Sequence, residues 1–355
     1  MKIMSLQRLM TLCLFVFLLI NMAALARAES SSSSIESATY RFEFDNDVFF
    51  NKDNQISSGW SIQKHSAVTE TWNSLEGVPK FVKQWAKKIP TLTKDGLVYR
   101  VGLALGQVIQ TPDDGSRSDL IEDDVPYAGV LTLQASWYAF NDDEFRGFEI
   151  TAGVVGSPSL GEQIQKTVHK LTGNGDPRGW GNQLDTEPVI NFNYMRKQKI
   201  WRLGTPAWFS FDSSIDGHVG LGTLFTQAST ELEMRFGYNM PRGFTYVPDP
   251  IGLSMHYLAA LNPPDSRAAS FYATLVLRGS VFAHNIFLDG NTFRDSHSVD
   301  KEPLVGLVVV GLHYERNNWG IHCHVLASSK DVDTSDAPAA EGHESLGTID
   351  IEWRF

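Results

Sequence analysis

Cysteine is almost absent from this chain. Its 355 residues include two, Cys13 and Cys323, and the first belongs to the opening "MKIMSLQRLMTLCLFVFLLINMAALARA". That stretch begins with Lys2 and Arg8, runs apolar from Leu9 to Ile20 and ends on Ala26-Arg27-Ala28. The order of parts predicts a secretory signal peptide over residues 1–28, cleaved after Ala28, and one mature domain over 29–355. Losing Cys13 leaves Cys323 alone, which excludes an intrachain disulfide; the exported chain must rest on hydrogen bonding and packing. Basic residues are also few, 30 against 41 acidic, for a net charge of −11 that becomes −14 once the leader's Lys2, Arg8 and Arg27 are removed. So acidic a surface excludes nucleic acid as a partner. Long apolar runs are missing too. Beyond residue 28 the longest is the nine-residue "LVGLVVVGL" from Leu304, which excludes a helical membrane protein.

Alternation is what the chain does contain. Segments of about ten residues such as "TYRFEFDNDVFF", "AGVLTLQASWYAF", "VINFNYMRK", "ELEMRFGYN" and "SFYATLVLRGSVF" change character at every residue. Many carry Trp, Tyr or Phe near their ends, as an interfacial aromatic girdle requires. The chain stops on "LGTIDIEWRF", with Leu346, Thr348, Asp350, Glu352 and Arg354 on one face and Gly347, Ile349, Ile351, Trp353 and Phe355 on the other. Short connections such as Arg316-Asn317-Asn318 alternate with long ones such as Thr111 to Val125 and Ser329 to Glu344. Together these features predict an all-β, transmembrane antiparallel barrel of the bacterial outer membrane, with tight turns on one rim and large loops on the other. A soluble sandwich or jelly roll shares the strand pattern and is the alternative.

One stretch interrupts the alternation: "SLGEQIQKTVHKLTGNGDPRGWGNQLDTEP", from Ser159 to Pro188. Helical spacing groups Ile164, Val168 and Leu171 on one side and Glu162, Gln165 and His169 on a neighbouring stripe. Such a helix would pack its apolar side on a wall and hold Gln165 and His169 at the edge of the contact, or else lie solvated in a loop. Near the end of the first strand, Asp45, Asn46 and Asp47 offer three successive oxygen-bearing side chains, a set that can hold a hard cation or simply mark a strand-to-turn junction. His322 and His324 flank Cys323 with one parity, which suits a polar lumen better than a metal site. "FLDGNTF" around Asp289-Gly290 reads as a tight hairpin turn.

Taken in order, Asn46-Asp47, Ser57-Ser58-Gly59, "GQVIQTPDD", "DDVPYAG", "GEQIQKTVHKL", "GWGNQLDTEP" and "NIFLDGNTFRDS" resemble the outer-membrane lipid A 3'-O-deacylase family across nearly the whole mature chain. The resemblance implies a 12-stranded barrel with a short helix in an extracellular loop, a site between the outer wall and that helix, and calcium as cofactor. It also implies lipid A or lipopolysaccharide as substrate among outer-membrane lipids, acted on by a monomer. Carried over by position, His169 takes the general base, Gln165 its neighbour on the helix, Asn46 and Asp47 the pair on the first strand, with Asp47 the calcium ligand, and Ser57 the family's threonine. Departures exist: the hydroxyl could come from Ser57 or Ser58, Val125 stands where the family has arginine, and Arg117 alone could replace a basic residue of the preceding loop.

Chemically, ester hydrolysis needs a nucleophile, a base and a stabilised oxyanion. Water activated by His169 is the first reading, and direct attack by Ser57 or Ser58 with His169 as base, in an outer-membrane lipase, is the alternative. A barrel without enzymatic activity, a pore or an envelope component, is the alternative from another class. Asn46 and Asp47 would face opposite sides of a flat strand, so serving one site together requires a bulge or the strand's end between them.

Overall fold

A computed structural model describes residues 36–47, 55–172, 175, 177–248 and 255–355. The predicted signal peptide, residues 1–28, lies outside them. Strands β1 (Thr39–Asn46), β2 (Gln55–His65), β3 (Val98–Thr111), β4 (Ala128–Phe140), β5 (Glu144–Val155), β6 (Glu187–Gly204), β7 (Phe209–Gly222) and β8 (Phe225–Tyr238) follow one another around a wall. A separate small pair, β9 (Arg242–Phe244) and β10 (Ala259–Leu261), comes next. The wall resumes with β11 (Ser270–Asn285), β12 (Leu304–Arg316), β13 (Trp319–Lys330) and β14 (His343–Arg354), and β14 pairs with β1 to close a 12-stranded antiparallel barrel. The closing register runs from Thr39 opposite Arg354 to Asn46 opposite Gly347.

Period-two patterning sorts side chains between lipid and lumen. On β14, Leu346, Thr348, Asp350 and Glu352 are buried inside, while Ile349, Ile351 and Trp353 face outward. The apolar run of β12 obeys the same rule although both its faces are apolar: Val305, Leu307 and Val309 enter an interior cluster, and Val308, Val310 and Leu312 are exposed to lipid. On β13, His322 and His324 point into the lumen, where His322 Nδ1 lies 3.0 Å from His313 Nδ1, and Cys323 between them is exposed on the outer face.

Side chains and a folded-in segment fill the lumen. Residues 239–248 and 255–269 carry Tyr246, Met255 and Tyr257 against Tyr138, Phe145 and Met195. Charges here are paired: Arg41 meets Glu352 at 3.0 Å and sits 4.3 Å over the Tyr246 ring, and Lys197 is held by Asp216, Glu231 and Glu233. Burial without such pairing would be prohibitive.

The rim holding the C-terminus has three tight turns, 141–143, 205–208 and 317–318, against one, 223–224, at the other rim, which marks it as periplasmic. Two long segments share it, so the division of short and long connections between the rims is incomplete. Residues 239–248 and 255–269 fill the barrel, and residues 66–97, containing helix α1 (Lys80–Ala86), pack on the outer wall. At the opposite rim lie helices α2 (Gly161–Thr172) and α3 (Ile286–Asp289). The α3 turn corrects the hairpin expected at Asp289-Gly290. Asn285 caps it by accepting from Phe287 N, Asp289 accepts from Asn285 N at 2.8 Å, and Gly290 leaves it at φ 76°, so the chain enters a long loop and not a strand.

Val310→Arg should lower unfolding stability in lipid vesicles by about 2–4 kcal/mol, and Leu304→Arg, at the strand's outer end, by about 0–1 kcal/mol. Urea titrations followed by electrophoretic mobility would check this. Equal effects at the two positions would contradict the lipid-facing assignment of β12.

Candidate active site

Helix α2 lies outside the barrel, on the extracellular ends of β3 and β4. A two-glycine contact lets it rest on the wall. Gly129 of β4 faces outward, and a Cβ there would fall 2.3 Å from Ser159 Oγ and 3.2 Å from Gly161 Cα, so no larger residue fits under the helix start. The helix presents Ile164 to a small cluster of Ile109, Tyr127 and Trp180, and turns Lys166, Thr167 and Lys170 to solvent. Gln165 and His169 are not solvated; they are 4% and 7% exposed.

Both side chains are held in place. Trp180 Nε1 donates to Gln165 Oε1 at 2.8 Å, which brings the Gly-Trp-Gly-Asn-Gln turn onto the helix. Gly179 is required in that turn because a Cβ would sit 2.2 Å from the Tyr127 ring. His169 Nδ1 lies 2.6 Å from the Gly175 carbonyl. A carbonyl can only accept, so Nδ1 carries a proton, and the tautomer this selects has its lone pair on Nε2.

The strand side of the site comes from β1, β2 and β3. Asn46 is the last residue of β1 and shares the outward parity of Phe42 and Phe44. Its Nδ2 donates to Ser57 O at 2.9 Å, and Ser57 Oγ donates to Ile109 O at 3.5 Å. Ser57 occupies a bulge between Ile56 and Ser58, and the displaced Ile56 amide is taken up by the Glu344 carboxylate at 3.2 Å. Asp47 follows the strand's end and is buried. Asp45 does not join them: it points inward, accepts a hydrogen bond from Thr348 Oγ1 and lies under Gly59. The consecutive Asp45-Asn46-Asp47 set therefore does not converge on one cation. Asp47, Asn46 and Ser57 remain as candidates, and their side-chain chemistry, oxygen donors at this end of the strands, is of the kind calcium takes. Among the described residues no group of three His, Cys, Asp or Glu is arranged to hold a metal.

The two halves meet through Ile109, whose carbonyl accepts from Ser57 and whose side chain packs beneath Trp180. Gln107, outward on β3, adds a second bridge: it accepts from Trp60 Nε1 at 2.9 Å and donates to Ser159 O just before the helix. Composition hides this glutamine, but its parity with Leu103, Leu105 and Ile109 would have placed it on the outer wall.

The remaining motif residues tie loops together. Asn291 and Asp185 exchange two hydrogen bonds of 2.8 Å, and Glu187 accepts from the Thr292 amide at 2.7 Å, so "LDTEP" and "DGNTF" clamp each other. Asp124 accepts from the Asp113 and Val125 amides, and its burial raises its pKa. Val125 is fully buried with Leu288, Val299 and Val332, so an apolar cluster takes the place of a cation there. Arg117 pairs with Asp119 on the exposed loop surface, and Ser58 is half-buried on the outer face of β2. Behind the bulge, burial pushes the Asp331 carboxyl up to about 7, where Gln55 Nε2 donates to it at 3.3 Å.

Residues 12–355 match the family described as outer membrane protein LpxR. Among solved structures, LpxR from Salmonella typhimurium is similar with a TM-score of 0.68 and 12% identity, covering 89% of this chain and 100% of that one. The β-domain of the Bordetella autotransporter BrkA covers 90% of this chain and 100% of its own, with 9% identity and a TM-score of 0.44. No curated relative matches the chain.

Gly129→Ala should lift the start of α2, so that trypsin cuts at Lys166 and Lys170 several-fold faster while the barrel's heat resistance is unchanged; unaltered proteolysis would contradict the tight seat. A second expectation concerns pH. Because the Asp331 pKa is raised in the folded state, its contribution is complete below about 4 and is lost as pH rises through about 7. Hydrogen exchange in residues 331–342, corrected for intrinsic rates, should therefore be faster at pH 8 than at pH 5, and Asp331→Asn should remove the difference.

Proposed function

The chain belongs to the family of outer membrane protein LpxR, and on that premise we propose that it is a calcium-dependent esterase removing the 3'-O-linked acyloxyacyl chain of lipid A. The observation that carries this reading is His169, buried at the end of the helix laid over β3 and β4, with Nδ1 donating to the Gly175 carbonyl, the orientation that makes Nε2 its basic nitrogen. A base on the lipid-facing side suits a substrate that never leaves the membrane.

His169 Nε2 takes a proton from water as the oxygen attacks the ester carbonyl. The tetrahedral intermediate then collapses: the bond to the sugar 3'-oxygen breaks, the leaving oxygen receives the proton from His169, and the acyloxyacyl chain departs as a carboxylic acid. Gln165, fixed by Trp180, and Asn46, anchored on the Ser57 carbonyl, orient the water and the developing oxyanion, while the Ser57 hydroxyl oxygen can only accept, from the water. Calcium, when bound through Asp47, supplies Lewis-acid polarisation of the ester carbonyl. Direct attack by Ser57 is disfavoured because its hydroxyl donates to the Ile109 carbonyl, away from an imidazole. A pore is disfavoured by the filled lumen.

His169→Ala should reduce deacylation by roughly 10²–10⁴-fold with the barrel still folded, as read by mass spectrometry of lipid A. Calcium chelation should abolish activity in the wild type and calcium should restore it. Full activity in the alanine variant would refute the assigned base. Lasting inactivation by a serine-reactive phosphonate, with Ser57 or Ser58 labelled, would replace the water mechanism by the nucleophilic one.

A further inference from the structure

Helix α1 sits on the same strands as the active site but at the other rim. Its register places Phe81, Val82, Trp85 and Ala86 on one arc and Lys80, Lys83 and Lys87 on the opposite one, with Lys88 following. Ala86 is buried against the wall, Trp137 Nε1 donates to Val82 O at 3.2 Å, and Trp85 lies 4.7 Å from the Trp137 ring and 5.5 Å from Phe148. Trp137 and Phe148 are outward residues of β4 and β5, so the helix rests on the outside of the barrel. Phe81, 72% exposed, has no protein surface over it, and the exposed Leu103 and Leu133 on the wall beyond continue into the lipid-facing belt.

The lysines are the second observation. In a chain of net charge −11 they form a cluster in which Lys83 and Lys87 donate only to Asn73, and among the described residues none of the four meets a carboxylate. Lys94, by contrast, is paired with Glu144. A helix that inserts Phe81 and Trp85 beside a membrane-facing wall while holding uncompensated ammonium groups at its polar edge has the form of an interfacial lipid-binding element. We propose that α1 binds the anionic head groups of glycerophospholipids in the periplasmic leaflet.

The test uses the full protein reconstituted in vesicles of phosphatidylcholine with one fifth phosphatidylglycerol. Either lipid carries bromine on its acyl chains to quench nearby tryptophan, and Trp85→Phe isolates the signal of Trp85. The ratio of phosphatidylglycerol to phosphatidylcholine beside Trp85 should be roughly five-fold that of the vesicle, about what one lysine at an anionic surface supplies. It should vanish in a variant with all four lysines changed to Gln and persist when all four become Arg, each variant being confirmed as folded by heat-dependent mobility. Quenching by the two lipids in proportion to their abundance in the wild type, or enrichment that survives in the glutamine variant, would overturn the proposal.

Discussion

Everything in this molecule depends on the pairing of β1 with β14. A strand edge left open in hydrocarbon would expose a row of amides and carbonyls that water cannot reach, each costing several kcal/mol. Eight residue pairs from Thr39–Arg354 to Asn46–Gly347 remove that edge. The seam also determines where chemistry can occur. It ends at Asn46, and only beyond it can Asp47 leave the strict in-and-out alternation that would have kept two neighbouring side chains on opposite faces. The bulge at Ser57, with its displaced amide held by Glu344 of β14, lies beside that end. Closure and the proposed site thus share a few residues at one corner.

With the ladder closed and the interior occupied, the outer wall becomes the working surface. The β3–β4 pair carries α2 near one rim and the 66–97 segment near the other, both held by side-chain packing and glycine clearance. The 66–97 segment begins by pairing Thr69 with Tyr99 of β3, whereas helix α2 adds no bond to the ladder. A change in α2 can alter the site while leaving the barrel's hydrogen bonding intact, which separates the requirements of folding from those of the reaction.

Much of this was legible in the alternation itself. The C-terminal "LGTIDIEWRF" divides into lumen and lipid faces as its parity requires, and the stretch containing Gln165 and His169 is a helix whose polar stripe is held against the wall. Other features escaped because local pattern does not encode long-range contact. Nothing near Tyr246 or Met255 says that these residues fold into the barrel, since their partners lie about a hundred residues earlier, at Tyr138 and Phe145. Asp45 looked equivalent to Asp47 until the strand's end separated them. Asp289-Gly290 has hairpin composition, but Asn285 and Asp289 cap a helical turn instead. Gln107 and Gly129 matter only because a helix distant in sequence lies over them.

Cys323 sits outward on β13, between two histidines that face the lumen. An unpaired cysteine in an exporting pathway invites oxidation or coupling to another chain. Those reactions proceed through the thiolate, a charged form that hydrocarbon disfavours. The bilayer thus gives this sulfur redox shelter, and the wall can carry an outward thiol in an oxidising compartment without a partner for it.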